Sequence, residues 1–250
     1  MHIDVAFTPA EVQALDTKVC IVVDVIRATS SLTAIMSRKP AKVILTTTIQ
    51  KATKFASQQT VHPLLCGERK GIKPEGFDYG NSPLVFSQAN LEGRIIIFTS
   101  SNGTRAVADL IMAPHVYLGS FLNASAVVTK ALDSAKKNDF DILIVCAGRE
   151  EKFAIDDAYC SGYLITQIIA SLDAGTSFEL GDGGQAALGI YGYYRDTKKL
   201  LEMSGAGKAI IDIGLEDDIN FLMQRDLYKC VPELIKKEFP EPESGFSFLA

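Results

Sequence analysis

Short, nearly continuous apolar runs bounded by polar residues or glycine recur along the first 150 residues of the chain. They cover residues 19–25, 42–45, 64–66, 94–98, 116–118 and 142–146. Runs of this kind, rich in β-branched residues, are typical of strands buried on both faces of a sheet. Between them, apolar residues recur with helical spacing over residues 29–37, 49–57, 104–112, 124–138 and 156–172. This alternation predicts an α/β fold with three layers, α/β/α, and a mostly parallel sheet.

The last third of the chain has a different pattern. Five glycines crowd residues 181–192, which predicts a mobile loop that leads into a helix from about Ala186. Residues 212–226 have helical spacing and are acidic, and Pro232, Pro240 and Pro242 predict the end of regular structure. Because no linker divides the chain, we expect one domain over residues 1–250. Whether the residues from about 180 form a small C-terminal subdomain is a question that the sequence leaves open.

Charge and composition narrow the class of partner. The chain has 250 residues and a formal net charge of −5, which argues against a general nucleic-acid binder but not against a small anionic ligand. It has no apolar run of about 18 residues, the length that spans a membrane. Its N-terminus lacks the basic region of a secretory signal, so we expect a cytoplasmic protein without membrane partners. Assembly into a homo-oligomer stays open.

Polar turns follow several of the predicted strands. Residues 24–31 follow the first apolar run, 99–105 follow the fourth, and 147–149 follow the sixth. In open α/β sheets, ligands bind beyond the carboxyl ends of the strands. We therefore expect these turns to converge on one site.

Asp24 ends the most apolar of these runs, where a carboxylate is costly unless it is paired or binds a cation. Two interpretations stay open. Asp24 is either a Mg²⁺ ligand or phosphoryl acceptor, or it caps the following helix or pairs with Arg27. The next residues, Thr29 and Ser30, start that helix, where backbone N–H groups suit an anion but an ordinary helix cap is also expected.

The turn at residues 101–105 indicates an anion-binding site more specifically than the start of the first helix does. Asn102-Gly103 predicts a tight turn, Thr104 can cap the next helix, and Arg105 stays near a bound anion. Ser101 lies at the start of the same turn. The alternative is a simple turn followed by a surface arginine.

Two acidic features offer ligands for a hard cation. Glu68 lies in a polar, glycine-rich loop after a short strand, and the adjacent Arg69 can hold a carboxylate or sulfonate with two hydrogen bonds. Asp156 and Asp157 open a long helix, where they either favour the helix dipole or complete a Mg²⁺ site. A surface loop is the alternative for residues 66–83.

Several segments together resemble the magnesium-dependent 2-phosphosulfolactate phosphatases. These segments are V-D-V-I-R-A-T-S-S at 23–31, C-G-E-R-K-G at 66–71, G-F-D-Y-G-N-S-P at 76–83, T-S-S-N-G-T-R-A at 99–106 and C-A-G at 146–148, with the acidic pair at 156–157. The resemblance implies a three-layer α/β fold. It also implies Mg²⁺-dependent hydrolysis of 2-phospho-3-sulfolactate to sulfolactate and phosphate, a step in coenzyme M biosynthesis.

The resulting hypothesis gives each matching residue a role. Asp24, Glu68 and Asp157 would hold Mg²⁺, while Arg27 and Arg105 would act with Asp24 on the phosphoryl group. The expected substrate-binding residues are Thr29, Ser30, Arg69, Asn81, Ser101, Asn102, Gly103, Thr104, Gly148 and Arg149. Three other interpretations stay open: Asp24 attacks phosphorus directly, the chain acts on another small phosphorylated hydroxy acid, or it only binds an anionic metabolite. The absence of a G-x-x-x-x-G-K-[ST] loop argues against a kinase.

Overall fold

A computed structural model of the protein describes residues 1–235 and the strand Phe246–Leu249. The strands are β1 (His2–Ala6), β2 (Lys18–Val23), β3 (Lys42–Thr46), β4 (Leu64–Gly67), β5 (Ile95–Thr99), β6 (His115–Gly119), β7 (Asp141–Cys146), β8 (Glu179–Leu180), β9 (Glu233–Ile235) and β10 (Phe246–Leu249). The α-helices are α1 (Ala28–Ser37), α2 (Ile49–Ser57), α3 (Pro83–Gln88), α4 (Gly103–Asp109), α5 (Ala124–Asn138), α6 (Ile155–Ala170), α7 (Asp182–Tyr193), α8 (Thr197–Met203), α9 (Gly205–Ile211) and α10 (Glu216–Leu222).

The strands form one sheet in the order β4-β5-β3-β10-β9-β6-β2-β7-β1-β8. Strands β4, β5 and β3 pair in parallel, and we call them the β5 block. Strands β6, β2, β7, β1 and β8 also pair in parallel and form the β2 block. Antiparallel strands β9 and β10 join the two blocks. The mostly parallel sheet predicted from the apolar runs is confirmed.

Helices cover both faces of this sheet, as strand β2 illustrates. Its residues Val19, Ile21 and Val23 pack under α5, α6 and α7, whereas Cys20 and Val22 point to the opposite face, under α1, α3 and α4. Helix α2 covers the first of these faces over the β5 block. Because successive side chains of a strand alternate between faces, a run buried on both sides has to be apolar throughout. The three-layer α/β/α fold is confirmed.

The glycine-rich stretch is helical from its beginning, so the predicted loop before Ala186 is wrong. Helix α7 starts at Asp182 because its glycines allow it to lie directly against β1. A Cβ atom at Gly183 would lie 2.0 Å from the carbonyl oxygen of Val5, and the Gly184 N–H donates to the Asp4 carboxylate at 2.9 Å. Tertiary contact thus outweighs the low helix propensity of glycine.

Two further expectations for the C-terminal part need correction. Helix α10 is shorter than the predicted segment 212–226. Pro232 does not end regular structure, because its carbonyl accepts the Leu118 N–H at 2.9 Å and β9 begins at the next residue. Pro240 and Pro242 lie outside the described residues.

The five cysteines form no disulfide, as their wide spacing predicts. Over the described part of the chain, no helix is long and apolar enough to cross a membrane.

Candidate active site

One cavity of about 990 Å³ lies at the carboxyl ends of the central strands. The loops after β2, β4, β5 and β7 line it, and α9 closes one side. The polar turns that the sequence places at strand ends do converge here. Of the residues given roles from the sequence, those in the cavity wall are Asp24, Arg27, Glu68, Arg69, Asn81, Ser101, Asn102, Arg105, Gly148, Arg149 and Asp157.

Four of the expected substrate-binding residues are fully buried outside the cavity wall. The Thr29 and Ser30 hydroxyls donate to the carbonyls of Asp24 and Val25 at 3.0 and 2.9 Å. The Thr104 hydroxyl makes the same kind of bond to the carbonyl of Ser100. Gly103 packs so closely on Asp24 that a Cβ atom there would lie 2.6 Å from the carboxylate. These residues shape the turns instead of lining the cavity.

Asp24 caps helix α1 and also lines the cavity. Its carboxylate accepts the Ala28 N–H at 3.2 Å, and the Gly103 N–H also bonds to it. The capping interpretation is therefore confirmed, whereas the proposed pairing of Asp24 with Arg27 is not present, because Arg27 pairs elsewhere. A carboxylate that caps a helix through one oxygen still has lone pairs for a ligand.

Three buried carboxyl groups share the β2 side of the cavity. Burial raises the pKa of Asp24 to about 7, and the negative charges of Glu68 and Asp156 add to this. Burial also raises the pKa of Asp156 to about 6, although a hydrogen bond from Ser204 opposes the shift. The pKa of Asp157 is raised by burial and by the charges of Asp156 and Asp24. These groups gain stability from a nearby cation or from a proton.

Glu68 and Asp157 each hold two neighbouring loops together. Glu68 accepts the N–H groups of Ser101 and Gly71 at 2.6 and 2.7 Å. Asp157 accepts those of Val25 and Gly148 at 2.9 and 3.1 Å. Among the described residues, no three carboxylate, thiol or imidazole groups lie together as a ready metal site. The expected ligands Asp24, Glu68 and Asp157 therefore share a cavity without forming a closed cluster.

Three basic side chains lie with Glu68 on the β5 side of the cavity. Arg69 is half-buried and donates to the carbonyls of Glu68 and Thr47 and to the Thr99 hydroxyl, at 2.6, 2.9 and 2.7 Å. Arg105 is exposed at the rim, as is Lys70, which has no role in the sequence-based hypothesis. Arg69 is thus held by several bonds, while Arg105 has room to move toward a ligand.

Arg27 is buried, and its partner is a residue that sequence reasoning missed. Its Nη1 atom donates to Asp218 of α10 at 2.8 Å, and both side chains are 2% exposed. Asp218 and Leu222 are spaced four residues apart on the buried face of a short helix. An aspartate on an apolar helix face was the available signal, because such a carboxylate needs a buried partner.

The C-terminal segment touches the site at two further points. The side chain of Ser204 lies close enough to Asp156 to lower the pKa of its carboxyl group, and Arg149 donates to the carbonyl of Gly205. Ala206 and Ile210 of α9 complete the cavity wall. The segment around α8–α10 is therefore part of the site.

Buried carboxyl groups and basic side chains that share one polar cavity, at the carboxyl edge of a parallel sheet, define an α/β protein with a site suited to a small polyanion. A sequence model of the 2-phosphosulpholactate phosphatase family matches residues 6–237. The chain belongs to this family of phosphatase enzymes.

Relatives from several bacteria agree with this assignment. A protein of Clostridium acetobutylicum is 32% identical over 240 residues, which cover 95% of this chain and 99% of the relative. A protein of Thermotoga petrophila is 34% identical over 244 residues, covering 95% of this chain and all of the relative. A third, from Pseudothermotoga lettingae, is 34% identical over 239 residues and covers 95% and 97%. Each is named "Probable 2-phosphosulfolactate phosphatase".

Proposed function

We propose that this chain hydrolyses 2-phospho-3-sulfolactate to sulfolactate and inorganic phosphate, with Mg²⁺ as its cofactor and in the cytoplasm, as a step in coenzyme M biosynthesis. The observation that supports this most directly is that carboxylates and guanidinium groups share one cavity. Its wall contains the acidic residues Asp24, Glu68 and Asp157 and the basic residues Arg27, Arg69 and Arg105. Family membership supports the class of reaction and the substrate.

The basic residues suit a substrate with several anionic groups. The proposed substrate carries a phosphoryl group, a carboxylate and a sulfonate, and arginine binds each of these with paired N–H donors. Arg27 and Arg105 would contact the phosphoryl oxygens, where negative charge grows in the transition state. Arg69 and Arg149 would hold the carboxylate or sulfonate.

An observation on Asn81 also supports the binding of an anion in this cavity. The Oδ1 atom of this residue is buried in the cavity wall and has no hydrogen-bond partner among the described residues. Buried polar atoms without a partner are rare in folded proteins. Because the oxygen and nitrogen of an amide exchange places by rotation, the same position can offer N–H donors to an anion.

The donor set fits a hard divalent cation. It consists of carboxylate oxygens without histidine or thiolate, and the pKa of Asp24 is raised by burial and by neighbouring negative charges. Asp24, Glu68 and Asp157 would hold the ion, and water would complete its shell, as is usual for Mg²⁺. When bound, Mg²⁺ polarises the phosphoryl group and neutralises its developing charge.

The position of Asp24 also suits a nucleophile that forms an aspartyl phosphate. Rapid-quench labelling with substrate that carries radioactive phosphate separates the two roles. A protein-bound label that hydroxylamine cleaves supports attack by Asp24. A reaction that releases phosphate without any such label supports attack by water.

A panel of phosphate esters, assayed with and without Mg²⁺, tests the proposal. We expect phosphate release from 2-phospho-3-sulfolactate with Mg²⁺ only, and slower release from phospholactate, which lacks the sulfonate. Fast release from another phosphorylated hydroxy acid would correct the substrate while keeping the reaction class. Binding of these anions without release of phosphate from any ester would contradict the phosphatase proposal and indicate a binding protein.

A further inference from the structure

Asp218 connects helix α10 to the candidate active site through both of its carboxylate oxygens. Oδ2 accepts from Nη1 of Arg27 at 2.8 Å, and Oδ1 accepts from the hydroxyl of Ser82 at 2.5 Å. Asp218 itself is 1% exposed. A buried carboxylate with every oxygen in use is held in one orientation.

The same bonds hold the guanidinium of Arg27 in one place. Its Nη2 atom donates to the carbonyl of Gly71 at 3.0 Å, in the turn that also carries Lys70. Arg27 is therefore fixed between α10 and the loop after β4, in the wall of the cavity that Asp24 also lines. Arginine keeps its charge when buried, so a carboxylate partner is what makes this position stable.

We propose that Asp218 is a positioning residue for phosphoryl transfer, which orients Arg27 toward the phosphoryl group and compensates its charge. This inference rests on the proposed function, in which Arg27 contacts the substrate. Asp218 acts through Arg27. The hydroxyl of Ser82 in turn helps to hold Asp218 in place. The C-terminal helix thereby contributes to catalysis without contacting the substrate.

Asp218→Asn tests the proposal because it keeps the shape of the side chain and removes its charge. Asp217→Asn is the matched control, since Asp217 precedes it on α10, carries the same charge and is exposed. We expect Asp218→Asn to lower kcat by about 10- to 100-fold per folded molecule, with KM changed less than about threefold. Asp217→Asn should change kcat by less than about twofold.

A milder variant and a double mutant keep the proposal testable if Asp218→Asn does not fold. Ser82→Ala leaves the ion pair and removes two hydrogen bonds, the one to Asp218 and the one from the Val85 N–H that caps helix α3. We expect a drop in kcat of a few-fold and normal circular dichroism. Adding Asp218→Asn to Arg27→Lys should cause little further loss, because residues that act as a unit are not additive.

Three outcomes would overturn the inference. The first is an Asp218→Asn protein that melts earlier but keeps the wild-type kcat per folded molecule, which is what a purely structural ion pair predicts. The second is full additivity with Arg27→Lys. The third is an unchanged kcat in Ser82→Ala, should Asp218→Asn fail to fold. A wild-type protein that releases no phosphate from any ester would instead contradict the proposed function itself.

Discussion

The turn after β2 and the turn after β5 are closed by the same kind of hydrogen bond and carry different chemistry. In each, a threonine at the start of the next helix donates to the carbonyl of the residue that opens the turn. Thr29 donates to Asp24 at 3.0 Å, and Thr104 donates to Ser100 at 2.9 Å. The first turn belongs to the β2 block and the second to the β5 block.

The likeness extends to the strand beside each turn. A carboxylate that follows β7 accepts a turn N–H in one block, and one that follows β4 does so in the other. Asp157 accepts from Val25 at 2.9 Å, and Glu68 accepts from Ser101 at 2.6 Å. Both neighbouring strands then lead into a two-residue turn, closed by paired hydrogen bonds across residues 69–72 and 149–152.

What differs is the charge of the residue that opens each turn. The β2 turn opens with Asp24, close to Asp156, whereas the β5 turn opens with the neutral Ser100 and leads to Arg105. Asp24 in one turn and Arg105 in the other thus bring opposite charges to the same cavity. The comparison teaches that backbone geometry sets where groups lie, while single side chains decide what each side binds.

The largest effect should come from changing the carboxylate that opens the β2 turn. We expect Asp24→Asn to lower kcat by about 10³-fold or more, whether Asp24 holds the metal or attacks phosphorus. Ser100→Ala, at the matching position of the β5 turn, should cost less than about tenfold. Steady-state assays of both variants measure this contrast.

Thermal melts with and without Mg²⁺ complete that test. A ligand that binds only the folded state raises the melting temperature, so Asp24→Asn should weaken or remove the rise that Mg²⁺ produces. An Asp24→Asn enzyme that stays active and responds normally to Mg²⁺ would show that Asp24 only caps helix α1.

A smaller contrast is expected between the two arginines of the β5 block. Arg105→Ala should lower kcat by about 10- to 100-fold with little change in stability, since this exposed side chain faces the phosphoryl group. Arg69→Ala should mainly raise KM and lower the melting temperature, because it removes three hydrogen bonds. Arg94→Ala, exposed before the start of β5, serves as the control. Equal effects of both changes on KM alone would contradict this division of roles.

The β2 block should also give the metal-free protein a pH-dependent stability. The pKa of Asp24 is raised to about 7 in the folded state, so the folded state binds protons more tightly than the unfolded chain does. Stability is therefore lost as the pH rises from about 4 through about 7, and Asp156 and Asp157 add in the same direction.

Melting curves in the presence of a chelator measure this slope. We expect the melting temperature of the wild type to fall between about pH 5 and about pH 8, and Asp24→Asn to flatten the fall. Glu150→Gln, an exposed charge at the rim, should leave the slope as it is. A wild-type curve that is flat over this range would show that the three carboxyl groups are not destabilised by burial.

The central strands and the position of the site could be predicted because their signals are local. A strand such as β2 is buried on both faces and must be apolar throughout, and a polar turn at its end is visible in the sequence. Strand β1 and helix α3 were not predicted. Strand β1 has only five residues, and two of them, His2 and Asp4, are polar. Helix α3 starts at Pro83 after a loop.

The rest depends on contacts between distant residues. Helix α7 forms through its fit against β1 and α6; a Cβ atom at Gly162 of α6 would lie 2.1 Å from the carbonyl oxygen of Ala187. The pairing of Arg27 with Asp218 joins residues 191 positions apart. The sequence marks Asp218 as a carboxylate on an apolar helix face, but no local pattern identifies its partner or the contacts of α7.

The smallest expected effect concerns the two-residue turns within residues 69–72 and 149–152, at the rim of the cavity. The second central residue of each turn has a positive φ, +81° at Gly71 and +63° at Glu151. Glycine adopts this conformation without strain, whereas a residue with a Cβ atom does so at a cost of about 1–2 kcal/mol. Glu151→Gly should therefore stabilise the protein by about 0.5 kcal/mol, after the extra entropy of glycine in the unfolded chain is subtracted.

The reverse change in the other turn should have the opposite sign. Gly71→Ala should destabilise the protein by about 1–2 kcal/mol, because it adds the backbone strain and a contact with the Cδ1 atom of Ile213 at 3.3 Å. Urea unfolding of both variants measures the two free energies on one scale. Opposite signs would confirm that the turns share one geometry and differ only in their residues. A loss of stability in Glu151→Gly would show instead that contacts of the Glu151 side chain outweigh the strain of its backbone.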